Sequence, residues 1–534
     1  MGPLGSLREE CLVGSSSDKN WGADLAAGAV VALVAMPLCL GIALASGAPL
    51  VAGLITGILG GLIVSWAGGT QLLVSGPAAG LAAIVVAAIT EMGSFEAFLT
   101  ALVIAGVLQL VFGLIKAGRL AVFVPSSVVT GMLAAIGVLL LLQQSVYALG
   151  TDADTVRATL HQSMEAFGAD FEGSHGGFSL LLLPFAAVQH AAPGAALVAG
   201  LVLLQLVLWE KLVPKEWAQR IPGPLVGVVF GAGIAAALGG TAWALPAGAF
   251  VSLPDVAGNP LGVFAWPDFS VIGQLTTWRV AVTLAVVASI ETLLSMEATD
   301  RLDPLKRTSN GDRELVGQGL GNLVAGLIGG LPMTGVIVRS TANISAGGRT
   351  WRSAFAHGVF LLAAVVALPF VLRLIPLASL AAVLLHIGFK LAHPRRFAEA
   401  VRIGWRYALP LFGTVVAVVA TDLLIGVGVG LVLSAFTVRL STLRGKVVVE
   451  HSDDAPNQVR VQLARAVSFL NKPRLRSALN SLPAGAQVTV DGSRTDNFDH
   501  DVVEFLHDYR RTAQERGIEL VLIDVPEPTG ASAH

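Results

Sequence analysis

Charge is scarce in this chain of 534 residues: Asp, Glu, Lys and Arg make up 13% of it, about half the share of an average soluble domain. A globule of this size cannot cover itself with so little polar surface, which excludes an ordinary cytosolic enzyme and a disordered chain. A cationic excess is also missing. The formal net charge is −2, so nothing attracts the chain as a whole to a phosphate backbone, and a nucleic-acid partner is excluded. Cysteine occurs only as Cys11, in a polar N-terminal stretch, and Cys39, in the first apolar run. Two such residues cannot form a disulfide framework and read as inert thiols. No Walker A, HExxH or GxSxG motif stands in a fitting context, so an ATP-driven pump and a membrane enzyme both lack their machinery.

Apolar residues fill the gap. They make up 54% of the chain, the mean hydropathy is +0.74, and 60 glycines stand against 3 tyrosines. Small residues of this kind let membrane helices approach closely. Apolar stretches recur over 24–45, 49–66, 77–91, 95–115, 123–145, 180–210, 223–240, 278–297, 314–330, 334–346, 352–373, 376–392, 407–421 and 422–439. This is an all-α polytopic membrane protein by expectation, with fourteen segments. The first run lacks a cleavage site and reads as a retained span rather than a signal peptide. Residues 2–6 read as an expression scar within an N-terminal tail, 1–20.

Charge distribution divides the rest. About a quarter of the residues after Ser441 are charged, against about a tenth before it, so a membrane part over 21–440 precedes a soluble part over 441–526 and a disordered end, 527–534. In the soluble part, 458–463, 486–490 and 520–524 alternate like strands, while 473–482 and 501–516 have helical spacing. That pattern predicts a small α/β domain. Basic residues collect after the even-numbered apolar segments, at Lys116/Arg119, Lys211/Lys215/Arg220, Arg301/Lys306/Arg307/Arg313, Arg349/Arg352 and Lys390/Arg395/Arg396/Arg402. The loop over 146–178 instead holds five acids and one Arg. The positive-inside rule then puts both termini and the α/β domain in the cytoplasm.

Two short segments open on Gly/Pro breaks: Ser75-Gly76-Pro77-Ala78 and Leu331-Pro332-Met333-Thr334-Gly335-Val336. A broken backbone survives in lipid only where protein buries it or a cavity needs it. A pair of such breaks, one in each half, points to a midplane site in a transporter, and two helix N-termini favour an anion. Arg339, little more than a turn beyond Thr334, and Glu291, four residues before Ser295 on the same helix face, are charges inside apolar runs, which are costly and usually functional. Glu291 suits a proton or Na⁺, or else fixes a neighbouring broken helix through its N–H groups; Arg339 supplies field and hydrogen bonds to an anion, or else is a snorkelling or structural Arg. Glu297 and Asp300 read as rim charges, Asp422 as a near-surface one. His357 and His386 stand alone and read as packing or hydrogen-bonding residues. No metal site or cofactor is expected beyond that coupling ion.

The chain resembles the sulfate permease (SulP) family of anion transporters. The resemblance rests on 34–43 (Val-Ala-Met-Pro-Leu-Cys-Leu-Gly-Ile-Ala), on 74–80, on 289–295 (Ser-Ile-Glu-Thr-Leu-Leu-Ser), on 314–322 and on 330–339. It implies fourteen segments in two inverted seven-segment repeats, a core domain moving against a gate domain, a homodimer, and an anion held between the third and tenth segments. On this chain the anion would meet Gly76, Pro77, Ala78, Thr334, Gly335, Val336 and Arg339. The tail resembles a sulfate-transporter and anti-sigma-factor-antagonist (STAS) domain, with Asn497-Phe498-Asp499-His500 where the antagonists carry a phosphorylated Asp-Ser-Gly. The chain looks most like bacterial members associated with carbonic anhydrase, which implies bicarbonate as substrate and the bacterial cytoplasmic membrane as location. Sulfate, chloride and dicarboxylate carriers of the same family, or an anion channel or sensor, are the alternatives. Cyanobacterial bicarbonate transporters pair an Asp with a Thr for Na⁺ where this chain has Glu291 and Ser295, so H⁺ coupling stands beside Na⁺ coupling.

Overall fold

The computed structural model describes residues 21–118, 125–151, 156, 178–214, 217, 221–252, 260–305, 307–421, 423–441, 448–451, 458–464, 466–467, 471–480, 482, 485–495, 497–515 and 517–527. Cys11, Arg119, Lys215, Arg220, Lys306, Asp422, most of the acidic loop, the expected N-terminal tail and all but the first residue of the expected C-terminal one lie outside them. Seven described stretches are long and apolar enough to cross a membrane, and five shorter apolar helices accompany them. The chain divides into two compact units, residues 1–118 with 192–383 and residues 119–191 with 384–534.

The first unit opens with α1 (Trp21–Ala45) and α2 (Leu50–Ala67), the latter loosened by a π turn at Gly60–Val64. A three-residue strand, β1 (Ser75–Pro77), leads into the short α3 (Ala79–Met92), and Ser94 then caps α4 (Phe95–Leu114) by accepting the Ala97 N–H. Further along come α7 (Pro193–Leu212), α8 (Gly223–Ala237), α9 (Leu275–Leu302) and α10 (Gly311–Ile328). Strand β2 (Met333–Gly335), the nine-residue α11 (Ile337–Ser345) and α12 (Trp351–Ala367) complete this unit's main elements. Two packings mirror each other. Helix α4 lies on α9 and α10, while α12 lies on α1 and α2. Each crossing is made at glycines: Gly106 and Gly319 stand so close that a Cβ on either would meet the other's carbonyl oxygen at 2.9 and 2.8 Å, and a Cβ on Gly61 would lie 2.5 Å from the Gly358 Cα. Without side chains at these points the helix backbones come into direct contact.

The second unit holds α5 (Ser126–Ala148) and α6 (Phe178–Gln189), then α13 (Leu377–Leu391, which begins in the first unit), α14 (Pro394–Ile403), α15 (Trp405–Ala420) and α16 (Leu423–Ser441). The expected single segment over 180–210 is therefore two helices, α6 and α7. Proline explains the break: Pro193 has no N–H for the preceding turn and takes the first position of the new helix. The soluble part follows. Strand β3 (Val448–His451) runs antiparallel to β4 (Gln458–Gln462), and β4, β6 (Gln487–Asp491) and β8 (Glu519–Ile523) are parallel, in the order β3-β4-β6-β8. A second small pair joins β5 (Ala466–Val467) to β7 (Asn497–Phe498). Helices α17 (Lys472–Asn480) and α18 (His500–Glu515) bury Leu475, Leu479, Val502 and Leu506 against Val459, Val488 and Val490 of the sheet. The three sequence-read strands lie within a residue or so of β4, β6 and β8; β3, β5 and β7 carry no alternation strong enough to have been read.

Candidate functional site

The two Gly/Pro breaks meet. β1 and β2 form an antiparallel pair with Ser75 opposite Gly335, Gly76 opposite Thr334 and Pro77 opposite Met333. At about 1.5 Å per residue α3 spans about 21 Å and α11 about 14 Å, both short of the roughly 30 Å apolar thickness of a bilayer. The junction between them therefore lies inside the membrane part, with backbone groups that lipid cannot satisfy.

Buried side chains satisfy many of them. Asn322 on α10 accepts the Met333 N–H through Oδ1 at 2.7 Å, donates Nδ2 to the Met333 carbonyl at 3.1 Å, and donates to Gln109 Oε1 on α4 at 2.6 Å. Gln109 Nε2 in turn donates to Ser289 Oγ on α9 at 3.3 Å. Thr56 on α2 accepts the Leu331 N–H at 2.6 Å and donates to the Leu331 carbonyl at 3.0 Å. Thr292 on α9 accepts the Gly335 N–H, Ser340 on α11 accepts the Val74 N–H, and Gln318 on α10 donates to Ser75 Oγ. Each of these residues is fully or almost fully buried. Sequence reading missed Thr56, Gln109, Thr292, Gln318, Asn322 and Ser340 as site residues. The only signal available was an amide or hydroxyl in an apolar run.

Ala78 and Val336 occupy the N-cap positions in extended conformation. The Val336 N–H goes to the Val74 carbonyl at 2.9 Å, but among the described residues the helix starts carry no side-chain cap. Their first N–H groups keep the positive end of each helix dipole within the buried junction. Thr334 is fully enclosed, its hydroxyl turned toward the Gly335 carbonyl at 3.3 Å.

Arg339 dominates the electrostatics. Among the described residues it is the largest fully buried side chain and makes one hydrogen bond, from Nη2 to Cys39 Sγ at 3.4 Å. Nε and Nη1 have no hydrogen-bond partner among the described residues. Nη1 lies so close to β1 that a Cβ on Gly76 would stand 2.1 Å from it. Cys39, read as an inert thiol, thus belongs to the guanidinium's surroundings. A buried cation costs several kcal/mol unless an anion or a set of acceptors compensates it. Glu291 does not compensate it: half-buried on α9, it makes no hydrogen bond or ion pair among the described residues, and Ser295 lies one turn on with its carbonyl taken by the Thr299 hydroxyl. Thr292, Glu291's neighbour, touches β2, so the carboxyl stands on the helix that flanks the junction. His357 is fully buried in the neighbourhood of Arg339. No group of three metal-ligating side chains occurs among the described residues.

An enclosed guanidinium beside two uncapped helix starts is an arrangement for holding an anion, and the pattern of the sulfate permease family matches residues 22–406. The chain belongs to that family. It is an anion transporter, a multi-pass membrane protein and not an enzyme. YvdB of Bacillus subtilis, named as a candidate sulfate transporter, is 30% identical over 411 residues, 77% of this chain and 72% of its own length. The bicarbonate transporter BicA of Picosynechococcus is 30% identical over 465 residues, 83% of this chain and 75% of its own. The murine Slc26a9 anion transporter, solved in its inward-facing state, superposes with a TM-score of 0.67 at 16% identity, covering 99% of this chain and 90% of that one. That likeness is one of fold and extends over this chain's small α/β tail.

Proposed function

We propose that this member of the sulfate permease family carries a small inorganic anion, bicarbonate in first place, across the bacterial cytoplasmic membrane by alternating access. The anion sits where β1 and β2 meet. Backbone N–H groups about Ala78 and Val336 hold it, with Gly76, Pro77, Thr334 and Gly335 as walls and Arg339 as counter-charge. One observation carries this reading: Arg339 is enclosed, keeps Nε and Nη1 without partners, and faces Gly76. A mobile anion supplies the compensation that no side chain gives. The likeness to BicA supports bicarbonate, and the equal likeness to YvdB keeps sulfate beside it.

The mirrored packing of α4 on α9 and α10 and of α12 on α1 and α2 supports two inverted repeats with a core moving against a gate. Basic loops after the even-numbered segments favour cytoplasmic termini. Glu291, with Ser295, takes up the coupling ion, H⁺ or Na⁺, beside the anion. The family resemblance further suggests a homodimer and functional association with a carbonic anhydrase.

Competition uptake into proteoliposomes tests the substrate. Labelled bicarbonate uptake should saturate, should be displaced best by bicarbonate among bicarbonate, sulfate, chloride and fumarate, and should be lost in Arg339→Ala. If coupling is to protons, an inward proton gradient accelerates wild type but not Glu291→Gln, and Na⁺ changes little. Wild-type uptake by Arg339→Ala removes the site assignment. Strict Na⁺ dependence at constant pH removes proton coupling.

A further inference from the structure

Helix α14 plays no part in the anion site. It lies between two apolar helices, α13 and α15, and is amphipathic. On one face Phe397 and Ala400 pack against Ala408, Leu411 and Val415, and the Phe397 and Phe412 rings stand 5.6 Å apart. The helix therefore folds down over the first turns of α15 instead of prolonging α13. Gly404, at φ +130°, makes the turn between them in a conformation open only to glycine.

The other face is cationic and apolar together. Arg395 and Arg402 are exposed and Arg396 is half-buried; Val401 is 62% exposed, and Trp405, which opens α15 just past the Gly404 turn, is 55% exposed beside it. The side chains of the three arginines form no ion pair or hydrogen bond among the described residues, and Glu399 is the helix's one acid. Lys390 and Arg406 flank the patch, the latter with its guanidinium carbon 5.9 Å from the Trp405 ring.

Bare Val and Trp beside unpaired guanidinium groups make a poor surface for water. At a bilayer interface the same surface is satisfied: the apolar groups enter the acyl boundary, Trp sits at headgroup level and the arginines meet phosphate. The helices on either side of it are apolar and α14 is not, so the headgroup layer is the phase that suits this face. We propose that α14 is a binding surface for anionic phospholipids, with Arg395, Arg396 and Arg402 gripping the headgroup phosphate and Val401 and Trp405 anchoring the chain beside it.

Native mass spectrometry of the full-length protein tests this, after equilibration in equimolar phosphatidylglycerol and phosphatidylcholine vesicles and extraction in mild detergent. Wild type should retain phosphatidylglycerol over phosphatidylcholine. Arg395→Gln and Arg402→Gln, both at exposed positions and thus harmless to folding, should each lower that ratio about fivefold. High salt should lower it as well. A control, K116Q/R349Q, removes basic residues from other loops and should leave the ratio unchanged. A wild type without lipid preference, or a control that loses it as fully as the α14 variants, overturns the proposal.

Discussion

Arg339 and Gly76 define the proposed anion site at the scale of single residues, because each explains the other. The guanidinium is enclosed, and its Nη1 occupies the space a side chain on Gly76 would need. Gly76→Ala should therefore displace Arg339 without emptying the core. Overpacking of this kind costs about 1–3 kcal/mol, so anion affinity should fall about tenfold or more while the purified protein stays monodisperse. Saturation curves for uptake would measure the change, and an unaltered half-saturation concentration would contradict the account. Adding Arg339→Ala should relieve the clash without restoring uptake. These residues were legible in sequence because charge and Gly/Pro breaks stand out against apolar runs. The pairing between the breaks was not, since Gly76 and Thr334 are separated by more than half the membrane part.

Between elements, the junction is held by uncharged polar side chains that sequence reading passed over. Gln109 and Asn322 are 213 positions apart, Thr56 and Leu331 275 apart, and one amide in an apolar helix gives no hint of such a partner. The helix pattern was readable for most segments, as twenty-residue apolar runs have few alternatives. It failed where length misleads: 180–210 joined two helices across Pro193, and the amphipathic α14 was counted only as a basic loop. Asn322 tests the importance of the hidden network. Asn322→Ala strips both the Met333 N–H and its carbonyl of their side-chain partner, at about 1–3 kcal/mol for each buried group left unpaired. Since Met333 adjoins Thr334, β2 should loosen at the anion's wall. The expected result is a lower melting temperature together with a raised half-saturation concentration and flattened discrimination among competing anions. Lower stability with unchanged affinity and selectivity would reduce Asn322 to a structural role.

Across the whole molecule, charge separates a membrane part from a tail with different sensitivities. The tail holds about a quarter charged residues against about a tenth elsewhere, so acid should act on it first. Asp491, at the end of β6, is the group on which this turns. Hydrogen bonds from Ser493 and then from Arg460 hold its carboxyl below the ordinary carboxylate range. A folded value below the unfolded one of about 3.9 means that the ionised form stabilises the tail above that pH, and that the contribution drains away as acid drives the pH down from about 4 toward the folded value. The tail also meets the membrane helices of its own unit through a carboxylate: Asp501 at the start of α18 accepts the Ser126 N–H at 2.9 Å and the Ser126 hydroxyl at the start of α5, next to an edge-on pair of Tyr407 and His500. Acidification of the full-length protein below about pH 4 should therefore raise amide exchange in β6 and β8 before it does so in α4 or α10, whose packing rests on glycine contacts that do not titrate. Asp491→Asn should already exchange faster at neutral pH and lose most of the difference from wild type in acid. Equal protection of wild type and Asp491→Asn at pH 7 would show that the Ser493 and Arg460 contacts do not stabilise the tail.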